Sequence, residues 1–92
     1  MIKCKKYHSE RVQSLLYENE KDLSVGIIVP GEYKFGSIKK EITTITSGTL
    51  DVLIEGNKMW KTYLKDESFT IPEHKNFTFK TNEVCTYLCF YE

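Results

Sequence analysis

Apolar and polar side chains alternate over short stretches of the chain, with the two-residue period of a β-strand. In residues 50–55 the apolar side chains at 50, 52 and 54 share one face, although Leu53 interrupts the polar face. Two phenylalanines alternate with polar residues between positions 76 and 81. In residues 84–91 both faces are largely apolar or aromatic. That pattern is typical of a strand that is covered on both sides or lines a ligand cavity.

Turn-forming residues separate these stretches at regular intervals. The main signals are Pro30-Gly31, Gly36-Ser37, Ser47-Gly48, Gly56-Asn57, Pro72 and Thr81-Asn82. Short strands with turns at such spacing are typical of a sandwich or barrel. Residues 11–17 make no clean helical stripe, which favours a strand there too. The sequence therefore predicts an all-β fold.

Length and charge narrow the classes of function. The 92 residues suit a single domain spanning 1–92, with residues 1–10 as a candidate flexible N-terminal arm. Thirteen basic and thirteen acidic residues cancel, which gives no electrostatic drive towards nucleic acid or an anionic membrane. The cluster of Lys3, Lys5 and Lys6 is interpreted as a solvated terminus, with an arm that binds an anion or nucleic acid as the alternative. Without a membrane-spanning run or the apolar centre of a signal peptide, we expect a cytoplasmic location.

Cysteine and histidine are too sparse for a disulfide framework or a metal site. Cys85 and Cys89 would share one face of a strand about 13 Å apart, which is too far for a bridge. With Cys4 the count is odd, so reduced thiols are expected. A tight transition-metal site needs three or four converging ligands, and His8 and His74 are the only histidines. We predict no bound metal.

Two spacings resemble the sequence blocks of cupin barrels. Glu41, followed by six residues and Gly48, matches the end of the first block, but the histidines that should precede the glutamate are missing. In the second block Pro72 matches, whereas His74 stands at a glycine position and Phe77 at that of the metal-binding histidine. The resemblance implies a cupin-like (RmlC-type) antiparallel β-barrel or jelly roll, closed or nearly closed, without the usual metal ligands.

A longer ordered set of motifs resembles the pyrimidine/purine nucleoside phosphorylase family of short, cupin-like bacterial proteins. The matching stretches are Val25-Gly26-Ile27, Pro30-Gly31-Glu32-Tyr33-x-Phe35, Glu41, Ser47-Gly48-x-Leu50-x-Val52, Trp60, Phe69-x-Ile71-Pro72, Phe77 and Tyr87-x-Cys89-x-Tyr91. They run from about residue 11 to the C-terminus in the family's order. Gln13 departs from the pattern, because relatives commonly carry lysine there.

This resemblance implies phosphorolysis of purine and pyrimidine nucleosides to a free base and ribose 1-phosphate. Inorganic phosphate would be the co-substrate, and no cofactor is expected. The transition state should resemble an oxocarbenium ion, as in other glycosidic cleavages. Because phosphate is the nucleophile, the protein needs no nucleophilic side chain. It must align phosphate with ribose and stabilise the charge that develops.

Three residues are catalytic candidates. Glu41 and Glu32 are candidates for contacts to the ribose hydroxyls or for electrostatic support. His74, after Pro72, is a candidate for protonating the base or binding phosphate, because imidazole groups titrate near neutral pH. The alternatives stay open at this point: Glu32 as a turn residue, Glu41 as a solvated strand end and His74 as an exposed loop residue.

Five further residues are candidates for substrate binding. Tyr33, Tyr87 and Tyr91 offer aromatic faces that suit any nucleobase. Ser47 and Thr43 are candidates, with backbone amides of a turn, for holding phosphate. Core packing is the alternative for the tyrosines.

Other functions compete with this interpretation. A cupin-type module that binds a nucleoside or sugar without turnover would share the fold, because fold alone does not decide function. A metal-dependent cupin enzyme is disfavoured by the missing histidines. Edge strands and apolar surface favour a homodimer, and neither nucleic acid nor a membrane is expected as a partner.

Overall fold

The fold is built from β-strands alone over residues 1–19 and 21–92, which are the residues that the computed structural model describes. The ten strands are β1 (Ile2–Tyr7), β2 (Val12–Tyr17), β3 (Leu23–Ile28), β4 (Gly31–Gly36), β5 (Glu41–Ser47), β6 (Leu50–Ile54), β7 (Lys61–Tyr63), β8 (Ser68–Ile71), β9 (Asn76–Thr81) and β10 (Cys85–Tyr91). The all-β prediction is confirmed, including the strand expected within residues 11–17. Across this part of the chain, no helix has the length and apolar character needed to cross a membrane.

The strands form two antiparallel sheets. The first sheet has the order β1-β2-β3-β10-β5-β8 and the second has the order β4-β9-β6-β7. A bulge between Thr86 and Tyr87 shifts the register where β10 pairs with β5. Because β10 lies between β3 and β5, it is an interior strand of its sheet. This position explains why residues 84–91 carry so few polar side chains.

The core lies between the two sheets. Ile28, Ile45, Leu50 and Ile71 are fully buried, and they come from strands of both sheets. The sheets pack as a sandwich, and among the described residues no strand pairing joins them into a closed barrel. The expectation of barrel closure is therefore corrected. β1 and β8 end the first sheet, and β4 and β7 end the second.

The first residues, given above as a candidate flexible arm, form an edge strand. β1 pairs along its whole length with β2, from Ile2 opposite Tyr17 to Tyr7 opposite Val12. All six of its residues are exposed. Since side chains alternate along a strand, Lys3, Lys5 and Tyr7 face the same side as the buried Val12.

The hairpin between β1 and β2 reaches across to the second sheet. His8, Ser9 and Glu10 adopt positive φ angles of 51°, 57° and 69°, which turn the chain tightly. The Nε2–H of His8 donates a hydrogen bond of 2.9 Å to the carbonyl of Lys34 in β4. The imidazole also packs edge-on against Phe35, with 5.0 Å between ring centroids. The hairpin therefore ties β1 to the opposite sheet.

One buried serine anchors the loop between β4 and β5. The Ser37 hydroxyl donates to the carbonyl of Pro72 at 2.6 Å and accepts from the backbone N–H of Lys75 at 3.0 Å. The backbone N–H of Ser37 donates to the carbonyl of Lys75 at 2.9 Å. These bonds fix the loop residues that follow, Ile38 to Lys40, against the turn between β8 and β9.

The outer face of the first sheet is unusually apolar. Leu15 and Tyr17 in β2 and Val25 and Ile27 in β3 are each 41% to 51% exposed. Side chains on this face point away from the core, because their neighbours Val12, Ser14 and Ile28 are buried. The homodimer expected from the sequence stays a prediction.

Candidate functional site

A cavity of about 290 Å³ lies between the two sheets. Residues of β1, β2, β5 and β10 line it from the first sheet, and residues of β4 and β9 line it from the second. Its volume is close to the lower end of the roughly 300–1,000 Å³ that small-molecule sites usually span. The cavity therefore has room for a compact ligand such as a nucleoside.

One wall of the cavity is made of phenylalanine rings. Phe35 and Phe77 stack with 5.5 Å between centroids and 24° between planes. Phe77 and Phe79 lie 5.0 Å apart at 53°. Inward positions of paired strands bring the three rings together, since Phe35 lies opposite Phe77 in the ladder between β4 and β9. Phe77 stands where a metal-binding cupin carries histidine, and here an apolar surface takes its place.

The opposite wall is rich in hydroxyl groups. Inward positions of the first sheet supply Tyr7, Ser14, Thr43, Tyr87 and Tyr91 to the cavity lining. Ser14 and Tyr87 flank Gly26 of β3, because each is its partner on one side. Hydroxyl groups donate and accept hydrogen bonds. This wall therefore suits a ligand with several hydroxyl groups of its own.

Glu41 lies at the edge of this hydroxyl wall, at the start of β5, and is half-buried. Burial raises the pKa of its carboxyl group from 4.5 to about 7, because desolvation disfavours the charged form. No cationic side chain of a described residue lies within ion-pair distance of it. The Cys89 thiol approaches its Oε1 at 4.0 Å. Near neutral pH this group can therefore give up or take up a proton inside the cavity.

Tyr87 owes its position to a glycine. Its ring lies against Gly26 so closely that a β-carbon there would come 2.6 Å from Tyr87 Cε2 and closer still to Cζ and the hydroxyl oxygen. Burial raises the pKa of the Tyr87 phenol, and the nearby Cys89 raises it further. The ring thus packs against Gly26 of β3, and its hydroxyl group stays protonated at neutral pH.

The hydroxyl wall continues through two buried pairs. The hydroxyl groups of Tyr91 and Ser24 are hydrogen-bonded at 2.9 Å, and the Thr43 hydroxyl donates to the Cys89 sulfur at 3.3 Å. Burial raises the pKa of Tyr91 and raises that of the Cys89 thiol to about 11. These groups are uncharged at neutral pH, so Glu41 is the group of this wall whose charge changes there.

Two lysines stand at the mouth of the cavity. Lys5 comes from β1, and Lys39 comes from the loop between β4 and β5. The Lys39 Nζ lies 3.3 Å from Asp22 Oδ2, and Asp22 also lines the cavity. Sequence reasoning missed Lys39, and it interpreted Lys5 as part of a solvated terminus, with an anion-binding arm as the alternative. Alternation puts Lys5 on the same face as Tyr7, but only the pairing of β1 with β2 shows that this face is the inner one.

The structure brings four of the eight predicted site residues to the cavity: Glu41, Thr43, Tyr87 and Tyr91. Glu32 is exposed and faces away from the buried Tyr33, opposite Lys80 of β9. His74 is exposed in the turn after β8, and its Nε2 lies 3.8 Å from a carboxylate oxygen of its neighbour Glu73. Both lie outside the cavity lining.

The remaining two candidates have structural partners. Tyr33 is buried, and its hydroxyl group donates to the carbonyls of Val29 and Pro30 at 2.8 and 3.0 Å. It therefore fastens the turn between β3 and β4. Ser47 is exposed at the end of β5, with its hydroxyl group 2.5 Å from that of Thr86. Neither residue lines the cavity. Alternation along β4 places Glu32 on its outward face. Ser47 is exposed because the bulge opposite Thr86 takes it out of the phase of the buried Thr43 and Ile45.

The described residues contain no group of three or more His, Cys, Asp or Glu side chains that could hold a metal ion.

Comparison with known proteins agrees with this architecture. The chain is 35% identical over 92 residues to a pyrimidine/purine nucleoside phosphorylase of Alcanivorax borkumensis, covering 99% of this chain and 98% of that one. It is also 35% identical over 91 residues to a protein of the same name from Wolinella succinogenes, covering 97% and 87%. A crystal structure of a Vibrio parahaemolyticus protein of unknown function has a TM-score of 0.94 at 35% identity, with 100% and 99% covered.

More distant structures show the fold alone. The ethanolamine utilisation protein EutQ of Salmonella typhimurium matches with a TM-score of 0.76 at 15% identity, over 87% of this chain and 68% of that one. This likeness confirms the cupin-like architecture. The family model described as pyrimidine/purine nucleoside phosphorylase matches residues 2–91. With relatives 35% identical over nearly the whole length, the chain belongs to the pyrimidine/purine nucleoside phosphorylase family.

Proposed function

We propose that the protein cleaves purine and pyrimidine nucleosides with inorganic phosphate, giving a free base and ribose 1-phosphate. The observation that carries the proposal is Glu41, a half-buried carboxyl group with a pKa of about 7, placed between a phenylalanine wall and a hydroxyl wall. Membership of the family supports the reaction class. The relatives named above carry that activity in their names.

The two walls match the two halves of a nucleoside. Phe35, Phe77 and Phe79 offer a surface on which a flat base can stack. Ser14, Thr43 and the tyrosines of the same wall can exchange hydrogen bonds with ribose hydroxyl groups. We therefore place the base against the second sheet and the ribose against the first.

The same arrangement accounts for a broad range of bases. Every nucleobase has a π-face, so stacking is tolerant of base identity. Among the described residues that line the cavity, none is Asn, Gln or Arg, the side chains that read base edges by paired hydrogen bonds. A site that recognises faces and not edges accepts purines and pyrimidines alike.

The proposed reaction forms one bond and breaks one. A phosphate oxygen forms a bond to C1′ of the ribose while the C1′–N bond to the base breaks. The electron pair of that bond leaves with the base, which takes up a proton. Glu41, protonated in about half of the molecules at pH 7, is the proposed donor of that proton. The ionised form would instead stabilise the positive charge that develops on the ribose ring.

The test is to incubate the protein with uridine or with inosine, each with and without phosphate. Chromatography measures the free base that is released. We expect release that requires phosphate. Glu41→Gln should lower the turnover number by about 100-fold or more, since a general acid contributes roughly 10²–10⁴-fold. Glu32→Gln is the matched variant, because its carboxylate faces outward, and its turnover should equal that of the unmodified protein.

Three outcomes would contradict the proposal. Base release without phosphate would indicate a hydrolase. Undiminished turnover in Glu41→Gln would remove Glu41 from the mechanism. No release from folded protein with any of several nucleosides would favour a cupin-type module that binds nucleosides without turnover.

A further inference from the structure

The mouth of the cavity is lined by two lysines and by the carboxylate of Asp22. Lys5 and Lys39 are the basic side chains among the described residues that line the cavity. They come from separate elements, the edge strand β1 and the loop anchored by Ser37. Two lysines that line one opening from different parts of the chain favour an anion there.

The ion pairs of the neighbouring lysines leave Lys5 available. Lys3 pairs with Glu18 at 3.1 Å and Lys6 pairs with Glu10 at 3.6 Å. Lys5, between them, forms no ion pair with a described residue. It faces the cavity side of β1, because it pairs with the buried Ser14. Its ammonium group is therefore free to meet a ligand at the mouth.

Lys39 is held by a carboxylate that an anion can displace. Its Nζ lies 3.3 Å from Asp22 Oδ2, and the two side chains are 57% and 25% exposed. An ion pair this exposed contributes little stability. A doubly charged oxyanion offers Lys39 a stronger partner than one carboxylate does.

The interior of the cavity is a poor place for a dianion. The phenylalanine wall is apolar, and the buried phenols and thiols stay uncharged at neutral pH. Burying an anion without a cation to pair with costs a large desolvation energy. The mouth, with two ammonium groups and access to water, avoids that cost.

We propose that Lys5 and Lys39 form an oxyanion subsite that binds inorganic phosphate at the cavity mouth. The assignment rests on the proposed function, in which phosphate attacks C1′ of a ribose held on the hydroxyl wall. Asp22 pairs with Lys39 and competes with the anion for it. The subsite chemistry is that of a phosphate dianion, whether free or attached to a nucleotide.

The test compares Lys5→Gln and Lys39→Gln with matched variants of their neighbours. Each cavity variant should raise the KM for phosphate about tenfold, because a charge-assisted hydrogen bond is lost, and should leave the KM for uridine nearly unchanged. Lys6→Gln and Lys40→Gln should have no effect, since Lys6 faces outward and Lys40 pairs with Glu92 at 3.5 Å. An unchanged KM for phosphate in both cavity variants would overturn the proposal.

Asp22→Asn gives a test in the opposite direction. Removing its charge frees Lys39 and lowers the negative potential at the mouth, so phosphate should bind more tightly by about threefold to tenfold. A purely structural role for Asp22 would not strengthen phosphate binding. Weaker or unaltered binding in this variant would contradict the competition that we propose.

Direct binding separates this proposal from the proposed function. If no phosphorolysis is found, titration of inorganic phosphate against the intact protein by calorimetry still decides the subsite. If the binding heat disappears in the Lys5→Gln, Lys39→Gln double variant, the phosphate subsite is supported. If the binding heat persists in that variant, the subsite is overturned. Titration with uridine 5′-monophosphate identifies the source: if the double variant weakens the nucleotide but not free phosphate, the assignment to inorganic phosphate is wrong.

Discussion

Replacing Glu41 with glutamine should stabilise the protein above neutral pH while it lowers activity. Burial raises the folded-state pKa of Glu41 from 4.5 to about 7, so the folded state favours the protonated form. The stability that this preference contributes is fully present below about pH 4.5. It is lost as the pH rises through 7, because the folded state must then hold a desolvated carboxylate. Glutamine stays neutral at every pH, so the Glu41→Gln variant does not lose this stability.

The size of the effect follows from the shift. One pKa unit corresponds to about 1.4 kcal/mol, so a rise from 4.5 to about 7 sets an upper limit of roughly 3 kcal/mol. Glu41 is only half-buried, and solvent screening reduces such energies. We expect Glu41→Gln to exceed the unmodified protein by about 1–2 kcal/mol in free energy of unfolding at pH 8. The two proteins should be equally stable near pH 4.5.

Urea denaturation at a series of pH values between 4.5 and 8 measures this difference. Glu32→Gln is the control, because it removes the same charge from an exposed position of β4. If the free energy of unfolding of Glu41→Gln differs from that of the unmodified protein by the same amount at every pH, the reasoning is refuted. Such a result would show that the carboxylate is already well solvated in the folded state.

Three other substitutions test separate parts of the site. Gly26→Ala should force Tyr87 off β3 and into the cavity, raising the KM for uridine about tenfold and costing about 1–3 kcal/mol of stability; unchanged kinetics would contradict the close packing. Phe35→Leu should raise the KM values for uridine and inosine by similar factors of about tenfold, and an effect on one base alone would argue against a stacking surface. Ser37→Ala should lower the free energy of unfolding in urea by about 1–3 kcal/mol, because the backbone groups of Pro72 and Lys75 lose their partner; a smaller loss would mean that water replaces the hydroxyl.

The strands were predictable because their signals are local. The double-sided apolar pattern of residues 84–91 identified a covered strand, and β10 is an interior strand that lines the cavity. Glu41 stood out because the spacing to Gly48 fits a known block. The missing cupin histidine at Phe77 was also informative, since the residue in its place forms part of the apolar wall.

Whether each of the other candidate side chains points into the cavity or outward depends on which alternate positions of its strand face the core. Glu32 alternates with Gly31 and Tyr33, and the burial of Tyr33 fixes the glutamate on the outward side. That phase was available in the sequence but was outweighed by the match to the family motif. Lys5 was harder to place, because β1 carries lysine on both faces and no apolar pattern reveals its inward side. Only pairing with β2 identifies that side.

The edge position of β1 links ligand binding to local folding. Among the strands that the structure describes, β1 pairs with β2 alone. All of its residues are exposed, and the His8 contact fixes its far end to β4. Weakly buried edge elements open at a lower free energy than the core does. A ligand that contacts Lys5 or Tyr7 therefore stabilises this exposed strand against local opening. Amide hydrogen exchange would record occupancy of the cavity as slower exchange along residues 2–7, some distance from the base.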